Sequence, residues 1–197
     1  MLDRTERAVA LFDGGHACCQ AVLLAWAADL GLDHDRAARL SAGFGGGMDL
    51  GETCGAVTGA TMVLGLALCS DDFASDEGRA ATVAAVASFG ERFRSRIGSV
   101  DCADIIGCDL RSSAGAAEAV EHDLFASRCT PAVRAAAEIL EDMLPPSRPA
   151  QRPSNLGPEG CAPTEADARP RFAAHAPVVR KTERDDFLGP EQVSAIR

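Results

Sequence analysis

Tyrosine is absent from this sequence, and aromatic residues together make up only 5% of its 197 positions. A β-sandwich or barrel would draw its core from aromatic and β-branched residues, so that class is disfavoured. Basic residues are also scarce. Nineteen Lys and Arg stand against twenty-nine Asp and Glu, leaving a formal charge of -10. Such a surface repels phosphate backbones and anionic lipid, which argues against nucleic-acid and membrane partners. A long apolar run is missing too. The best candidate, TCGAVTGATMVLGLALCS at residues 53–70, is just short of a comfortable span. It contains three glycines, and Glu52, Asp71 and Asp72 flank it instead of Lys or Arg. It reads as a buried core helix. The first residues, MLDRTERAVALFDGG, carry charge from the start and hold no export-signal core, so a cytoplasmic protein is expected.

Proline is confined to one end. Residues 1–144 contain only Pro131, and residues 145–197 contain the other nine. The charge divides at the same point: the tail has eight basic and seven acidic residues, the body eleven and twenty-two. Residues 1–144 read as the folded domain and 145–197 as a Pro-rich, extended or disordered tail.

What the body does have is alanine and helical spacing. Residues 2–12 read as a first helix and residues 16–30, HACCQAVLLAWAADL, as a second ended by Gly31. Asp33 caps a third at 34–41. Thr53 begins a fourth at 53–69, and Ser75 a fifth with Val83, Val86, Gly90, Phe93 and Ile97 in one stripe before Gly98. A short turn follows Asp101, and residues 113–126 form another helix. Thr130 and Pro131, as N-cap and first-turn residue, open the last one with Val133, Ala137, Leu140 and Leu144 on its inner face. No segment alternates with period two. The expected fold is all-α, a compact bundle of five or more helices with a Pro-rich C-terminal tail. Trp26 and Phe12 read as core residues, and His16, His34, His122 and His175 as surface residues.

The chain has eight cysteines: Cys18, Cys19, Cys54, Cys69, Cys102, Cys108, Cys129 and Cys161. In a reducing compartment so many thiols point to metal or redox chemistry before a disulfide framework. Four share one context. Cys18, Cys54, Cys102 and Cys129 each fall at or within a turn of an expected helix start. There unpaired N–H groups and the positive end of the helix dipole favour the thiolate, the form that binds metal and attacks disulfides. Cys19 would point about 100° away from Cys18. Cys69 is at a helix end, Cys108 trails a turn and Cys161 is in the tail. These read as packing or incidental residues, with Cys19 and Cys108 the first exceptions to consider.

The glycine-rich stretch GFGGGMDLGETCGAVTGA precedes Cys54 and encloses it. Gly46-x-x-x-x-Gly51 has Walker A spacing, but Glu52 stands where the phosphate-neutralising lysine belongs and no strand precedes it, so no nucleotide is expected. The glycines are better explained by close approach. Gly46 and Gly47 bring backbone near the sulfur site, and Gly55 with Gly59 lets a neighbouring helix pack beside Cys54.

Taken in order, Cys18 with Gln20-Ala21-Val22, GFGGGM and ETCGAVTGA, GSVDCADIIGCD, and Cys129 before a final amphipathic helix resemble the bacterial redox-active proteins named for a C_GCAxxG_C_C signature. The resemblance covers about residues 5–144. It implies a small helical protein whose signature cysteines are Cys18, Cys54, Cys102 and Cys129, working with an oxidoreductase or electron-transfer partner. A related arrangement in split-Soret-type cytochromes implies an iron–sulfur cluster. No C-x-x-C-H motif occurs, so haem is not expected. Three functions are then open: an iron–sulfur cluster on the four thiolates for electron transfer, a thiol–disulfide protein using them in pairs, or a structural zinc module. The oligomeric state is not legible. The common requirement is that four sulfurs distant in sequence meet in one place.

Overall fold

The computed structural model describes residues 3–70 and 72–144. Eight α-helices account for most of them: α1 (Arg4–Asp13), α2 (Cys18–Ala27), α3 (His34–Ser41), α4 (Gly55–Leu68), α5 (Asp76–Ile97), α6 (Cys102–Ile106), α7 (Ser113–Glu121) and α8 (Thr130–Met143). The all-α expectation is met, and no strand occurs among the described residues. The one departure from helix and loop is an isolated antiparallel bridge between Thr53 and Asp101. Cys161, His175 and the tail expected at residues 145–197 lie outside the described residues.

Helix α2 is the centre of the bundle. Nine of its ten residues are buried, Gln20 being the exception. A helix that is apolar all round must be surrounded, and α1, α3, α4 and α8 all pack against it. Trp26, Leu23 and Val22 on α2 meet Val63 and Leu64 on α4, and Val133 and Leu140 on α8, in one core. Arg4 on α1 lies over the Trp26 ring at 5.8 Å, and its Nε pairs with Asp29 at 2.8 Å. The C-terminal carbonyls of α2, which have no helical partner, receive a hydrogen bond from Arg7 Nη1 to the Ala25 oxygen, 3.0 Å long.

Several ends follow their sequence signals. Asp33 accepts from the Arg36 N–H at 3.0 Å and Ser75 from the Gly78 N–H at 2.9 Å, capping α3 and α5 as expected. Gly98 closes α5 at φ 97°. Val133, Ala137, Leu140 and Leu144 on α8 are all buried. Other readings need correction. Helix α4 starts at Gly55, with Cys54 itself as the cap, two residues later than Thr53 implied. On α5 the buried aromatics are Phe89 and Phe93, stacked at 5.8 Å, while Val83 is exposed. The rest of the stripe holds, with Val86, Gly90 and Ile97 partly buried on the same side. The helix expected at 113–126 stops at Glu121. Asp123 turns left-handed at φ 50°, and a wide π-type turn, Phe125–Cys129, then runs into α8.

Candidate redox-thiol site

Three devices carry the four signature cysteines toward one place. The first is glycine packing between α2 and α4. A Cβ added at Gly55 would overlap the Cys18 sulfur and come within 2.8 Å of the Phe44 oxygen; at Gly59 it would come within 2.7 Å of the Cys19 oxygen. The two helices therefore touch along a seam only glycine permits, which sets Cys18 against Cys54. The second device is the bridge. The Cys54 N–H bonds the Val100 oxygen at 2.8 Å and the Cys102 N–H bonds the Glu52 oxygen at 2.6 Å, so Cys54 and Cys102 are held beside each other across 48 residues of chain. A bridge of one residue pair has no alternating pattern, so the sequence gives no signal for it. The third is the turn Phe125–Cys129, which packs against α6 and brings Cys129 to the same region.

The glycine-rich segment closes the site from the other side. Gly46, Gly47, Met48 and Asp49 are left-handed in succession, with φ of 57°, 67°, 61° and 55°. An L-residue in this region costs on the order of 1 kcal/mol, so Met48 and Asp49 are held there by their surroundings. Gly47 has no room for a side chain: a Cβ would lie 2.7 Å from the Cys102 Cβ and equally close to Glu52 backbone. The Gly46 N–H points to the Cys18 sulfur. Gly46, Gly47 and Gly55 thus each bring backbone against one of these cysteines.

Cys18, Cys54, Cys102 and Cys129 all line a single cavity of about 870 Å³. All seven cysteines among the described residues are free. Cys19, Cys69 and Cys108 stay off the cavity wall. Cys19 is buried beside Thr58, and burial pushes its thiol up to about 11. Cys69 caps the end of α4 and donates to the Gly78 oxygen at 3.7 Å. Cys108 is half-exposed. Among the described residues no three His, Cys, Asp or Glu side chains are grouped to hold a single metal ion.

The thiols are not alike. The Cys54 thiol donates a hydrogen bond to the Cys18 sulfur. That bond, aided by the N–H groups of Cys19, Gly46 and Cys18 itself, brings Cys18 down to about 7 against burial. The same hydrogen bond, together with burial, raises Cys54 well above the usual thiol range. Burial raises Cys102 to about 11 and Cys129 to about 12, and the nearby Cys18 charge adds to both. The expectation that every helix start would favour a thiolate therefore fails at three positions of four. At Cys129 there is no open start, since Cys129 and Thr130 are already helical and the chain runs through. At Cys102 burial outweighs a helix of five residues. Asp101, the residue before that helix, makes no side-chain capping bond.

Some contributors had no sequence signal of their own. Gln20 accepts from the Ala17 N–H at 3.0 Å and donates to the Ala38 oxygen at 2.8 Å, fixing the start of α2 against α3 just before the Cys18 sulfur. Phe12, expected in the core, is half-buried and lines the cavity, as does Phe125. His16, expected on the surface, is half-buried on the cavity wall with Nδ1 3.1 Å from the Leu11 oxygen. Glu52 is exposed, and its backbone, not its carboxylate, serves the site. No helix among the described residues is long and apolar enough to cross a membrane.

No curated protein and no solved structure matches the chain. A family model does, over residues 16–143, a span that begins at His16 and ends with α8, and so contains all four cavity cysteines. Its description is "Putative redox-active protein (C_GCAxxG_C_C)", and with more than half of its length matched the chain belongs to that family.

Proposed function

We propose that Cys18, Cys54, Cys102 and Cys129 hold an iron–sulfur cluster and that the protein passes electrons to an oxidoreductase or electron-transfer partner in a reducing compartment such as the cytoplasm. The observation that carries this reading is the convergence of four thiols on one cavity. The Cys54 thiol hydrogen-bonds the Cys18 sulfur, and Cys102 and Cys129 line the same cavity. Two thiolates on one tetrahedral metal with bonds of about 2.3 Å lie about 3.8 Å apart, close to the contact of a thiol pair. Iron–sulfur clusters of either the two-iron or the four-iron type take four cysteine sulfurs, which this cavity has on its wall. A structural zinc needs all four ligands around one point, and no three of the described side chains are grouped that way.

The residues present suit such a cluster chemically: four thiol donors, backbone made bare by Gly47 and Gly55, and two neighbouring N–H groups, of Cys19 and Gly46, directed at the Cys18 sulfur. When bound, the cluster would supply one-electron chemistry. The chain's own contribution is to hold the sulfurs, give the cavity an apolar side at Ile105 and Ala132, and set the potential through N–H bonds to sulfur.

A second reading has its own support in the unequal Cys18–Cys54 pair. A Cys18 thiolate could attack a partner disulfide, forming a mixed disulfide and releasing the partner's thiolate. Cys54 would then attack the Cys18 sulfur, closing the Cys18–Cys54 disulfide and releasing the second partner thiolate, to which its proton passes. Anaerobic purification separates the two. Visible absorption with iron and acid-labile sulfide supports the cluster. A colourless, iron-free protein that loses two titratable thiols reversibly on mild oxidation supports the dithiol. Colourless protein with neither property overturns both.

A further inference from the structure

The cavity is far larger than four sulfur atoms require, and its polar wall is one-sided. Asp13, Asp49 and Asp123 line it, with no Lys or Arg among its described lining residues. All three carboxylates are exposed, placing them where the cavity meets solvent. Arg128, the nearest base in sequence to a cavity cysteine, is exposed and not part of the lining. Acidic residues alone would be an ordinary solvated rim. Here they line the same cavity as Cys18, together with apolar Phe12, Ile105, Leu110 and Phe125. A volume of about 870 Å³ is in the range that takes a small organic molecule. In a confined, low-dielectric opening one sign of fixed charge concentrates ions of the other sign and excludes its own.

We propose that this cavity is a charge filter: it admits small cationic electron acceptors to the thiol site and holds back anionic ones. The proposal rests on the reading of these thiols as a redox centre, whether by cluster or by dithiol. It adds the class of small molecule that reaches that centre. Each equivalent of a one-electron acceptor takes one electron from the reduced site. A cluster gives up one, while a dithiol consumes two equivalents, forms the Cys18–Cys54 bond and releases two protons to water.

The test uses full-length protein as purified, reduced under argon, and two small one-electron oxidants of opposite sign, hexaammineruthenium(III) and ferricyanide. Re-oxidation is followed by stopped flow. The variant carries Asp13→Asn, Asp49→Asn and Asp123→Asn together. Asn tolerates the left-handed backbone at Asp49 and Asp123 as Asp does, and it keeps an acceptor for the Thr130 hydroxyl that Asp13 bonds at 3.0 Å. A remote variant neutralises Asp72, Glu77 and Glu91, none of which lines the cavity, and so removes the same net charge elsewhere. The rim variant is expected to react with the ruthenium trication tenfold or more slowly than the wild type and with ferricyanide several-fold faster. The remote variant should stay within about twofold for both. In 1 M salt, where screening acts over about 3 Å, the rim effect should shrink toward unity. Equal effects from rim and remote variants, or none from the rim, overturn the filter and leave the redox reading intact. A reduced protein that neither oxidant re-oxidises overturns both.

Discussion

Cys18 and Cys102 occupy the same position on their helices, the first residue of α2 and of α6, yet their thiols move in opposite directions, to about 7 and about 11. The dipole argument treats them alike. What separates them is what points at the sulfur. Cys18 receives the Cys54 S–H and backbone N–H groups, because glycines on α4 let that helix and the left-handed segment close around it. At Cys102 burial dominates, and the charges of Cys18 and Cys108 add to it. A helix start therefore offers a thiolate little once the sulfur is buried, unless hydrogen-bond donors reach it. The α2–α4 seam is where this molecule supplies them, and the α6–α8 side, with Cys102 and Cys129, is where it does not. Cys102 and Cys129 need a cation to become thiolates at neutral pH, while Cys18 is half-way there without one.

The largest effect should come from closing the seam. Gly55→Ala would push a methyl into the Cys18 sulfur and against the Phe44 carbonyl, and backbone cannot yield cheaply. A loss of about 3 kcal/mol is expected in urea unfolding, together with the loss of the redox signal. A variant of wild-type stability would mean that α2 and α4 do not meet as described. Gly47→Ala presses on the other side. It adds the left-handed cost of about 1 kcal/mol to an overlap with Cys102 and Glu52, so about 2 kcal/mol is expected. Because the strain falls at Cys102, the midpoint of Cys18 alkylation with pH should hardly move. A midpoint that shifts as far as stability falls would show that the two regions are not separable.

Next in size is the removal of the donor. In reduced, metal-free protein, Cys18 should alkylate with a midpoint near pH 7. With Cys54→Ala the largest cause of that lowering is gone and burial is left to act, so at pH 7 the Cys18 rate should fall tenfold or more. Cys102→Ala should leave it nearly unchanged. Equal slowing by both would place the cause in the cavity's field and not in the hydrogen bond.

How much of this could be read from residues is uneven for physical reasons. Capping is local chemistry, so Asp33, Ser75 and Gly98 mark the ends of α3 and α5 correctly, and the narrow stripe of α8 leaves only one face to bury. The α5 stripe holds at Val86, Gly90, Phe93 and Ile97 and misses at Val83, near the exposed start of the helix. The π turn Phe125–Cys129 is missed because Asp123, a residue type that can adopt left-handed backbone, stands in a run otherwise compatible with continued helix. At the site, the choice of Cys18, Cys54, Cys102 and Cys129 was legible as a shared context, and the glycines as a need for close approach. The bridge that joins Cys54 to Cys102 was not, since one residue pair leaves no period. Nor was the ionisation of the thiols, which depends on burial and on donors from distant segments.

A smaller effect tests the same contrast through stability. The folded pKa of Cys18 is depressed from 9.0 to about 7, so its contribution is present above the unfolded value and is lost as pH falls through 7. Cys54, Cys102 and Cys129 are raised, so theirs are present below 9.0 and are lost as pH rises toward 11 and 12. Under reducing, metal-free conditions stability should thus climb from pH 7 to about 9 and decline more steeply beyond, since one lowered thiol acts on the first side and three raised thiols on the second. A monotonic fall from pH 7 upward would mean that Cys18 behaves like the other three.

The smallest effect has the opposite sign and lies on the same helix as the first. Gly65 is on α4, ten residues after Gly55, and a Cβ there would meet nothing within 4 Å. If α4 carries glycine at Gly55 and Gly59 because α2 must touch it there, then Gly65, beyond that contact, is only a weak helix former. Gly65→Ala should therefore stabilise the protein by about 0.5–1 kcal/mol, through backbone entropy alone. It should leave iron content and Cys18 reactivity unchanged. A destabilising Gly65→Ala would mean that something covers this end of α4, and the contrast between a packed seam and a free end would have to be redrawn.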